Sequence, residues 1–496
     1  MAKTEAGPSP PPGPLPGGER EAGGASSRRD AIRFGTSGWR AVLAEEFTFA
    51  NARRVVTAIA RVLSEDGFGG RLVLVGHDTR FLAERFAAEA ARVLAREGFA
   101  AEVASRPVPT PALAFEVRRR GAAGAVNFTA SHNPARYLGI KFSTSDGAPA
   151  LPESTERVEA AIARLAEVPA PESTSAAPTF DPVAAYLGDL GRKVDASAVA
   201  ADDPRFSLDF RFGTSAGFLD AFLERAGVTG PRLLRLNANR DPLFGGQSPQ
   251  CGEKELVRLA EEVRRSGSRL GLACDGDADR FGVCDDRGTY VPPNLLLALL
   301  LRDMLGRKGR RGGVARSVAT THALDAVAAK FGVHCYETPV GFKYIGEKLI
   351  AGEIIFGGEE SAGLTVEGHV PEKDGILADL LVAEMCGATG KTIGALVEDL
   401  DSEIGRFRST RVDLPLSPAE RERLANLRQS PPDRVGSRRV ASVNRIDGIK
   451  LILEDGSWIL IRESGTEPLA RLYVEAKSEQ DVAALTRAAM DLVAVT

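Results

Sequence analysis

The sequence has few cysteines, no long apolar run and no strong excess of charge. Its five cysteines are scattered, odd in number and free of metal-ligand spacing, which argues against a disulfide scaffold and indicates a reducing, cytoplasmic setting. The nearest candidate for a membrane span, residues 295–301, is far shorter than the roughly 18 apolar residues required. The net charge of -4 argues against a general nucleic-acid binder, although a local basic cleft for phosphate groups is compatible with it. We therefore expect neither nucleic acid nor a membrane as a partner.

The composition is that of a large globular protein, except at the N-terminal end. Its 496 residues suffice for three or four domains, and 43% apolar with 26% charged residues is an ordinary globular composition. Residues 1–30 are dominated by Pro, Gly, Ser, Ala and charged residues, so they lack the apolar surface that would offset the entropy of ordering. We predict a disordered tail there, and a domain boundary at the Pro-, Ser- and Ala-rich residues 168–178.

Strand-like and helix-like segments alternate through most of the chain. Short apolar runs at residues 72–75 and 122–128 are typical of buried strands, and the helical apolar spacing of residues 83–96 predicts an amphipathic helix. This alternation predicts α/β domains with mainly parallel sheets. The string at residues 33–37 recurs at residues 211–215, which indicates either a duplicated α/β unit or a coincidence.

The most informative loop is T-A-S-H-N-P at residues 129–134, directly after a predicted buried strand. Pro134 blocks further strand pairing, so Ser131 is expected on a loop at the carboxyl end of a strand, where open α/β sheets bind their ligands. A lone serine there would usually be a capping or solvent hydroxyl. His132 beside it and Lys141 further on favour a serine that carries a phosphoryl group, because such a group needs a base and a nearby cation.

Three aspartates, Asp275, Asp277 and Asp279, follow another predicted strand in the string D-G-D-A-D-R. Carboxylates at alternate positions of an extended loop lie on one side of the chain, and three such oxygens leave positions open for water and phosphate, which suits octahedral Mg²⁺. A calcium-binding EF-hand is excluded because Arg280 stands at the position that requires glycine. A solvated acidic turn is the alternative.

Two further polar loops suit a sugar phosphate. The string G-E-E-S-A-G at residues 358–363 offers Glu359 and Ser361 to sugar hydroxyls, although alone it is more typical of a solvated turn. The string R-E-S-G-T at residues 462–466 offers a guanidinium, hydroxyls and the N–H groups of a glycine turn to a phosphate. A polar hairpin loop is the alternative for this second string.

The four loops together resemble, in the same order, the motifs of the α-D-phosphohexomutase superfamily, and most closely its bacterial phosphoglucomutases. The resemblance extends from about residue 32 to the C-terminus. It implies that Ser131 is phosphorylated and completes an Mg²⁺ site with the three aspartates, and that Glu359 and Ser361 contact the sugar. The family's phosphate loop corresponds to Arg462, Ser464, Gly465 and Thr466.

Other family positions follow from the same resemblance. Arg40 and Lys141 match positions next to the phosphoserine, and Arg280 matches the residue after the metal ligands. The string E-K-D-G around Lys373 resembles glucose-directed mutases, whereas Gly363 stands where relatives with mannose activity often have histidine. The general base stays open among Lys141, His132 and Lys373.

The resemblance also implies the architecture: three similar mixed-sheet α/β domains plus a smaller α+β C-terminal domain around a central cleft. The predicted domains are residues 31–180 with the catalytic serine, 181–291 with the magnesium loop, 292–404 with the sugar loop and 405–496 with the phosphate loop.

The expected activity is the interconversion of glucose 1-phosphate and glucose 6-phosphate through a phosphoserine enzyme. Glucose 1,6-bisphosphate would be the intermediate and the activator. The alternatives are a phosphomannomutase or dual-specificity phosphohexomutase, a metal-dependent sugar phosphatase, and a non-catalytic phosphosugar-binding protein. The expected partner is a small phosphosugar, and the protein is expected to be a monomer or a homodimer.

Overall fold

The computed structural model describes residues 32–35, 37–165, 167–173, 175–463 and 469–494. The predicted tail at residues 1–30 and the predicted phosphate-binding residues 464–466 lie outside these ranges. The described strands form four sheets, and each sheet draws its strands from one of the four predicted segments. The α/β fold class is confirmed, while the domain boundaries stay a prediction.

The first sheet combines a parallel centre with an antiparallel edge. Its strands and helices are β1 (Trp39–Val42), α1 (Phe49–Glu65), β2 (Leu72–His77), α2 (Ala83–Arg96), β3 (Ala100–Ala104), α3 (Thr110–Arg120), β4 (Gly124–Phe128), β5 (Tyr137–Ser143), α4 (Pro152–Arg164) and β6 (Thr179–Phe180). The strand order is β1-β5-β4-β2-β3-β6, with β1, β5 and β4 paired antiparallel. Because β5 returns alongside β4, Lys141 lies opposite Asn127, near the loop that carries Ser131.

The second sheet carries the aspartate loop between two antiparallel strands. Its elements are α5 (Val183–Leu190), α6 (Ala196–Val199), β7 (Phe206–Asp209), α7 (Leu219–Arg225), β8 (Leu233–Leu236), α8 (Val257–Ser266), β9 (Leu270–Cys274), β10 (Phe281–Cys284) and β11 (Tyr290–Val291). The strand order is β11-β10-β9-β7-β8, and β7 pairs in parallel with both β8 and β9. The loop from β9 to β10 is therefore a tight reversal in which the three aspartates are packed together.

The third sheet has four strands and is flanked by the most deeply buried helix of the fold. Its elements are α9 (Pro293–Gly306), β12 (Gly313–Ser317), α10 (Ala323–Lys330), β13 (Cys335–Thr338), α11 (Phe342–Ile350), β14 (Ile354–Glu359), β15 (Gly363–Val366), α12 (Gly375–Thr389) and α13 (Ile393–Ile404). The strand order is β13-β12-β14-β15, with only β15 antiparallel. Helix α12 is buried from Gly375 to Gly387, and the Asp374 side chain caps its first turn by accepting from the Leu377 N–H at 2.9 Å.

Within the described ranges, no single helix is long and apolar enough to cross a bilayer. Helices α12 and α13 pass by length and composition only when taken together, and they meet at an angle of 84°.

The fourth sheet is wholly antiparallel. Its elements are β16 (Arg408–Pro415), α14 (Pro418–Gln429), β17 (Arg434–Val435), β18 (Arg438–Asn444), β19 (Ile449–Leu453), β20 (Trp458–Glu463), β21 (Leu469–Ala476) and α15 (Glu479–Val493). The strand order is β16-β21-β20-β19-β18-β17. The apolar core of this sheet is a separate cluster, whereas one continuous apolar cluster runs through the first three sheets and includes α9 and α12.

A buried lysine joins the fourth sheet to the third. Lys450 is fully buried, and its Nζ donates to the carbonyl oxygen of Val318 at 2.8 Å and to Glu337 Oε1 at 2.9 Å. The same ammonium lies 4.1 Å from the centre of the Trp458 ring. Burial lowers the pKa of Lys450 to about 8. The contact between the last two sheets therefore depends on a charge that is buried and paired.

Lys450→Met should weaken this contact. We expect the free energy of unfolding to fall by about 3 kcal/mol at neutral pH, because buried acceptors lose a charged donor. Between about pH 8 and the ordinary value of 10.5, the unfolded wild type binds more protons at this lysine than the folded protein, so stability rises with pH, and the variant should lack this part of the rise. Urea denaturation followed by tryptophan fluorescence measures both effects. The exposed Lys254→Met is the control, and equal pH slopes in wild type and Lys450→Met would contradict the assignment.

Candidate active site

Ser131 is buried and faces the aspartate loop of the second sheet. It follows β4 and has a left-handed backbone, with φ +48°, while its N–H donates to Thr129 Oγ1 at 2.9 Å. Its Oγ donates to Asp275 Oδ2 at 2.7 Å. Two motifs 144 residues apart in sequence therefore meet at hydrogen-bond distance.

The three aspartates form a compact, buried carboxylate cluster. One oxygen from each of Asp275, Asp277 and Asp279 lies within 4.8 Å of the others. Burial, together with the charges of Asp279 and Asp277, raises the pKa of Asp275 to about 8. Asp277 Oδ1 is buried without a hydrogen-bond partner among the described residues. Because hard divalent cations prefer such oxygens, the cluster fits the Mg²⁺ that the sequence predicts.

Two lysines offset the charge of the cluster. Lys141 Nζ lies 2.7 Å from Asp277 Oδ2 and 2.6 Å from Asp279 Oδ2, and Lys373 Nζ lies 3.4 Å from the same oxygen of Asp279. Burial alone would lower the pKa of each lysine, but the neighbouring carboxylates outweigh it and the pKa of both is raised. Both amines are therefore protonated at neutral pH.

His132 has the opposite electrostatic environment. Its Nδ1 lies 3.3 Å from Ser131 Oγ. Burial and the positive charges of Arg280 and Arg40 hold the pKa of His132 well below its usual value. The ring is therefore neutral at physiological pH and can exchange a proton with a neighbouring oxygen.

The two arginines line the loops on either side of Ser131. Arg40, on β1, donates from Nη1 to Asn133 Oδ1 at 2.7 Å. The Arg280 N–H donates to Asp275 Oδ1 at 3.2 Å, and its Nε lies 3.7 Å from Asp279 Oδ1. The structure thus brings the five predicted residues of the first two motifs, Lys141 and both arginines into one region.

The sugar loop places its two glutamates in different surroundings. Glu359 ends β14 and is buried, with Oε1 accepting from the Gly341 N–H at 2.8 Å, and burial together with the charge of Glu360 raises its pKa to about 7. Glu360 Oε2 instead accepts from the hydroxyls of Ser317 and Thr320 at 3.0 and 3.2 Å. Ser361 is half-buried.

Gly363 lies against the stem of Lys373. A Cβ atom at position 363 would lie 2.8 Å from Lys373 Cγ and would collide with its Cδ. The absence of a side chain at Gly363 therefore lets Lys373 reach towards Asp279.

Arg462, on β20, is held by an acidic residue that sequence analysis did not identify. Its Nε donates to Asp447 Oδ2 at 2.7 Å, and the same oxygen accepts from the Val340 N–H at 3.1 Å. The next amide, Gly341 N–H, is the one bonded to Glu359. Hydrogen bonds through Asp447 and the adjacent amides of Val340 and Gly341 thus link Arg462, at the described end of the phosphate loop, to Glu359 in the sugar loop.

Two further residues near the site were also missed. Thr110 Oγ1 donates to Asp277 Oδ2 at 2.6 Å, and Arg80 donates to the carbonyl oxygen of Ser131 at 2.7 Å. Arg80 follows β2 at the same edge of the sheet as Ser131, so its position was a usable signal. No local pattern marks the contacts of Thr110 with Asp277 or of Asp447 with Val340, since the partners of each pair are more than 100 residues apart.

Three α/β sheets, an antiparallel C-terminal sheet and a serine beside a carboxylate cluster are the arrangement that the resemblance to sugar-phosphate mutases implies, and such mutases are isomerases of carbohydrate metabolism. The chain belongs to the phosphoglucomutase/phosphomannomutase family. Family models match α/β/α domain I at residues 31–168, domain II at 184–288, domain III at 292–403 and the C-terminal domain at 418–492.

Individual relatives cover nearly the whole chain. A protein of Methanothermobacter thermautotrophicus named a probable phosphoglucosamine mutase is 30% identical over 90% of this chain and 94% of its own length. A phosphoglucomutase/phosphomannomutase of Thermococcus kodakarensis is 28% identical over 90% of this chain and 95% of its own. A crystal structure from Thermus thermophilus, provisionally named a phosphomannomutase, is 36% identical, with a TM-score of 0.83 over 93% of this chain and 99% of its own.

The carboxylate cluster predicts a measurable response to Mg²⁺. Millimolar Mg²⁺ should raise the melting temperature of the wild type, because a cation that binds only the folded state stabilises it. Asp277→Asn should lose most of this increase, whereas Asp286→Asn, on the turn after β10, should keep it. Differential scanning fluorimetry with and without EDTA measures the shift. An unchanged Mg²⁺ response in Asp277→Asn would exclude the cluster as the binding site.

Proposed function

We propose that this chain interconverts glucose 1-phosphate and glucose 6-phosphate, with Ser131 as the residue that carries the phosphoryl group. The observation that supports it best is the 2.7 Å contact between Ser131 Oγ and Asp275 Oδ2 inside a buried cluster of charges. A serine whose hydroxyl is hydrogen-bonded to a carboxylate cluster that fits a divalent cation is suited to accept and release a phosphoryl group.

The surrounding charges suit a phosphoryl group on Ser131. When bound, Mg²⁺ would offset phosphoryl charge, with Asp275, Asp277 and Asp279 as its ligands. Lys141 and Arg40 add fixed positive charge around the serine, in a site where burial makes such interactions strong. Preorganised positive charge and positioning are the main sources of acceleration in phosphoryl transfer.

The protons in each half-reaction need a carrier. When a sugar hydroxyl takes the phosphoryl group, the bond from phosphorus to Ser131 Oγ breaks and the bond to the sugar oxygen forms, so the hydroxyl gives its proton to a base and the freed Ser131 Oγ takes up a proton. Of the three candidates, Lys141 and Lys373 are protonated, whereas His132 is neutral and lies 3.3 Å from Ser131 Oγ. His132 is therefore our choice for the group that exchanges this proton.

The sugar must be bound in two orientations, since both of its phosphate positions react in turn. Arg462 would hold the phosphate that is not reacting, with the loop at residues 464–466. Glu359 and Ser361 would accept and donate hydrogen bonds to the sugar hydroxyls. The bisphosphorylated intermediate would turn over between the two half-reactions, and glucose 1,6-bisphosphate would prime the unphosphorylated enzyme.

Relatives carry phosphoglucosamine mutase and phosphoglucomutase/phosphomannomutase names, so the glucose assignment rests on this chain's own residues. Lys373, in the string that resembles glucose-directed mutases, extends past Gly363 towards the aspartates. A larger residue at position 363 would require Lys373 to move. This packing favours a site in which Lys373, rather than residue 363, faces the sugar.

Ser131→Ala should abolish mutase activity and leave the fold intact. We expect kcat/KM for glucose 1-phosphate to fall on the order of 10³-fold or more, as when a nucleophile is removed. Intact-mass analysis after incubation with glucose 1,6-bisphosphate should show roughly 80 Da added to the wild type and none to the variant. Ser402→Ala, on the exposed face of α13, is the control. Stoichiometric release of inorganic phosphate would instead indicate a phosphatase, and an unphosphorylated wild type would indicate a binding protein.

Gly363→Ala should impair turnover because its Cβ displaces the Lys373 stem. We expect kcat/KM to fall about tenfold with glucose 1-phosphate, and Gly363→His to be at least as severe. Gly394→Ala is the matched control, because the nearest atom to its Cβ is 3.9 Å away. Rates with glucose, mannose and glucosamine 1-phosphates, compared in the same assay, test substrate choice. A wild type that turns over either competitor faster than glucose 1-phosphate would overturn the assignment.

A further inference from the structure

Arg80 is a buried side chain whose donors all have partners. It lies in the turn after β2, is 1% exposed, and has five N–H donors, as every arginine does. Nε bonds to Asp78, and the two terminal nitrogens bond to four backbone carbonyls. The acceptors are Asp78 Oδ2 at 3.0 Å, the carbonyl oxygens of Pro134 and Tyr137 at 2.9 Å each, and those of Ser131 at 2.7 Å and Asn133 at 2.6 Å.

All four carbonyls belong to residues 131–137, the segment that carries Ser131, follows β4 and ends at Tyr137, the first residue of β5. The loop turns these oxygens inward around one guanidinium, and Ser131 itself adopts a left-handed backbone that costs of order 1–3 kcal/mol in a residue other than glycine. A strained loop with inward-facing carbonyls needs a buried donor for each oxygen. A lysine, with three donors on a single nitrogen, cannot reproduce this planar fork.

Residues 240–248, which lie between β8 and α8, pack against Arg80 and the segment that carries Ser131. The ring of Phe244 lies 4.9 Å from the guanidinium carbon of Arg80. Arg240 donates to the carbonyl oxygens of Thr79 and Arg80, at 3.1 Å each. Ser248 Oγ donates to the carbonyl oxygen of His132 at 2.7 Å. The segment that braces Arg80 thus belongs to the same part of the chain as the aspartate loop.

We propose that Arg80 is a positioning residue that fixes the position and orientation of Ser131 Oγ relative to Asp275. It acts through the backbone of the loop and contacts neither phosphate nor sugar. The proposal rests on the proposed role of Ser131 as the phosphoryl carrier. Arg80 is therefore assigned to alignment of the reacting oxygen, while the arginines at positions 40 and 280 are assigned to charge.

Arg80→Lys keeps the charge and removes the fork, so it tests alignment rather than electrostatics. We expect kcat to fall on the order of 100-fold, since misplacement of a reacting atom by about 1 Å has an effect of this size. The KM for glucose 1-phosphate should change less than threefold, because Glu359, Ser361 and Arg462 lie on other sheets. The rate at which glucose 1,6-bisphosphate phosphorylates the protein should fall in parallel with kcat. Arg136→Lys, an exposed arginine of the same loop, is the matched control.

Two further measurements separate alignment from a general loss of stability. In Arg80→Ala, added guanidinium chloride at non-denaturing concentration should restore part of kcat, and it should not do so in Ser131→Ala. Phe244→Leu removes the brace but keeps the five hydrogen bonds, and should lower kcat severalfold at an unchanged KM. Wild-type kcat in Arg80→Lys, or a loss of activity that appears only in KM or only near the melting temperature, would overturn the proposal.

Hydrogen exchange distinguishes this proposal from the proposed function. Amides of residues 131–137 should exchange faster in Arg80→Lys than in the wild type, whatever reaction the protein performs, and Arg136→Lys should not differ. If the wild type is never phosphorylated at Ser131, the proposed function fails and the role of Arg80 in that function fails with it, even where exchange is faster. If Ser131 is phosphorylated but loop exchange and kcat are unchanged in Arg80→Lys, only the positioning role fails.

Discussion

Three carboxylates held within 4.8 Å of one another, away from water, are the constraint around which the site is arranged. Such a cluster is unfavourable unless cations surround it, because burial and mutual repulsion both penalise the charged form. Lys141 arrives from the first sheet, Lys373 from the third, and the Ser131 hydroxyl donates to the remaining aspartate. The first three sheets share one continuous apolar core, and this core holds the segments that carry these residues in fixed positions.

Loops at the ends of strands were the part of the site that the sequence revealed best. Ser131 and the aspartates could be predicted because each follows a short apolar strand. Their residue types also restrict their chemistry, since a serine can carry a phosphoryl group and clustered carboxylates can bind a cation. Helix α2 was predicted with its observed ends, Ala83 and Arg96, since its apolar spacing is regular. The helical spacing of residues 253–266 predicts one helix, but α8 begins only at Val257 because residues 252–256 form a turn in which the Glu255 N–H donates to the Gly252 carbonyl oxygen.

The supporting residues could not be predicted in the same way. Lys141 is expected near Ser131, but its ion pairs with Asp277 and Asp279 depend on the antiparallel return of β5, which Pro134 alone does not predict. Asp447 contacts Val340 across two sheets, and sequence offers no rule for such a pair. The position of Arg80 after β2 places it at the ligand-binding edge of the sheet, but its bonds to backbone carbonyls leave no trace in hydrophobic periodicity, so its role could not be predicted.

The C-terminal sheet closes its own apolar interior and meets the third sheet through a small patch that includes Trp458, Leu460 and Val318, with Lys450 at its centre. A chimaera that exchanged residues 408–493 for the corresponding segment of a relative would therefore leave both hydrophobic interiors uncut. This patch, the Asp447 bridge and polar contacts such as Asn294–Ser409 and Arg408–Asp401 would have to be matched at the seam, which makes the segment a natural unit for recombination.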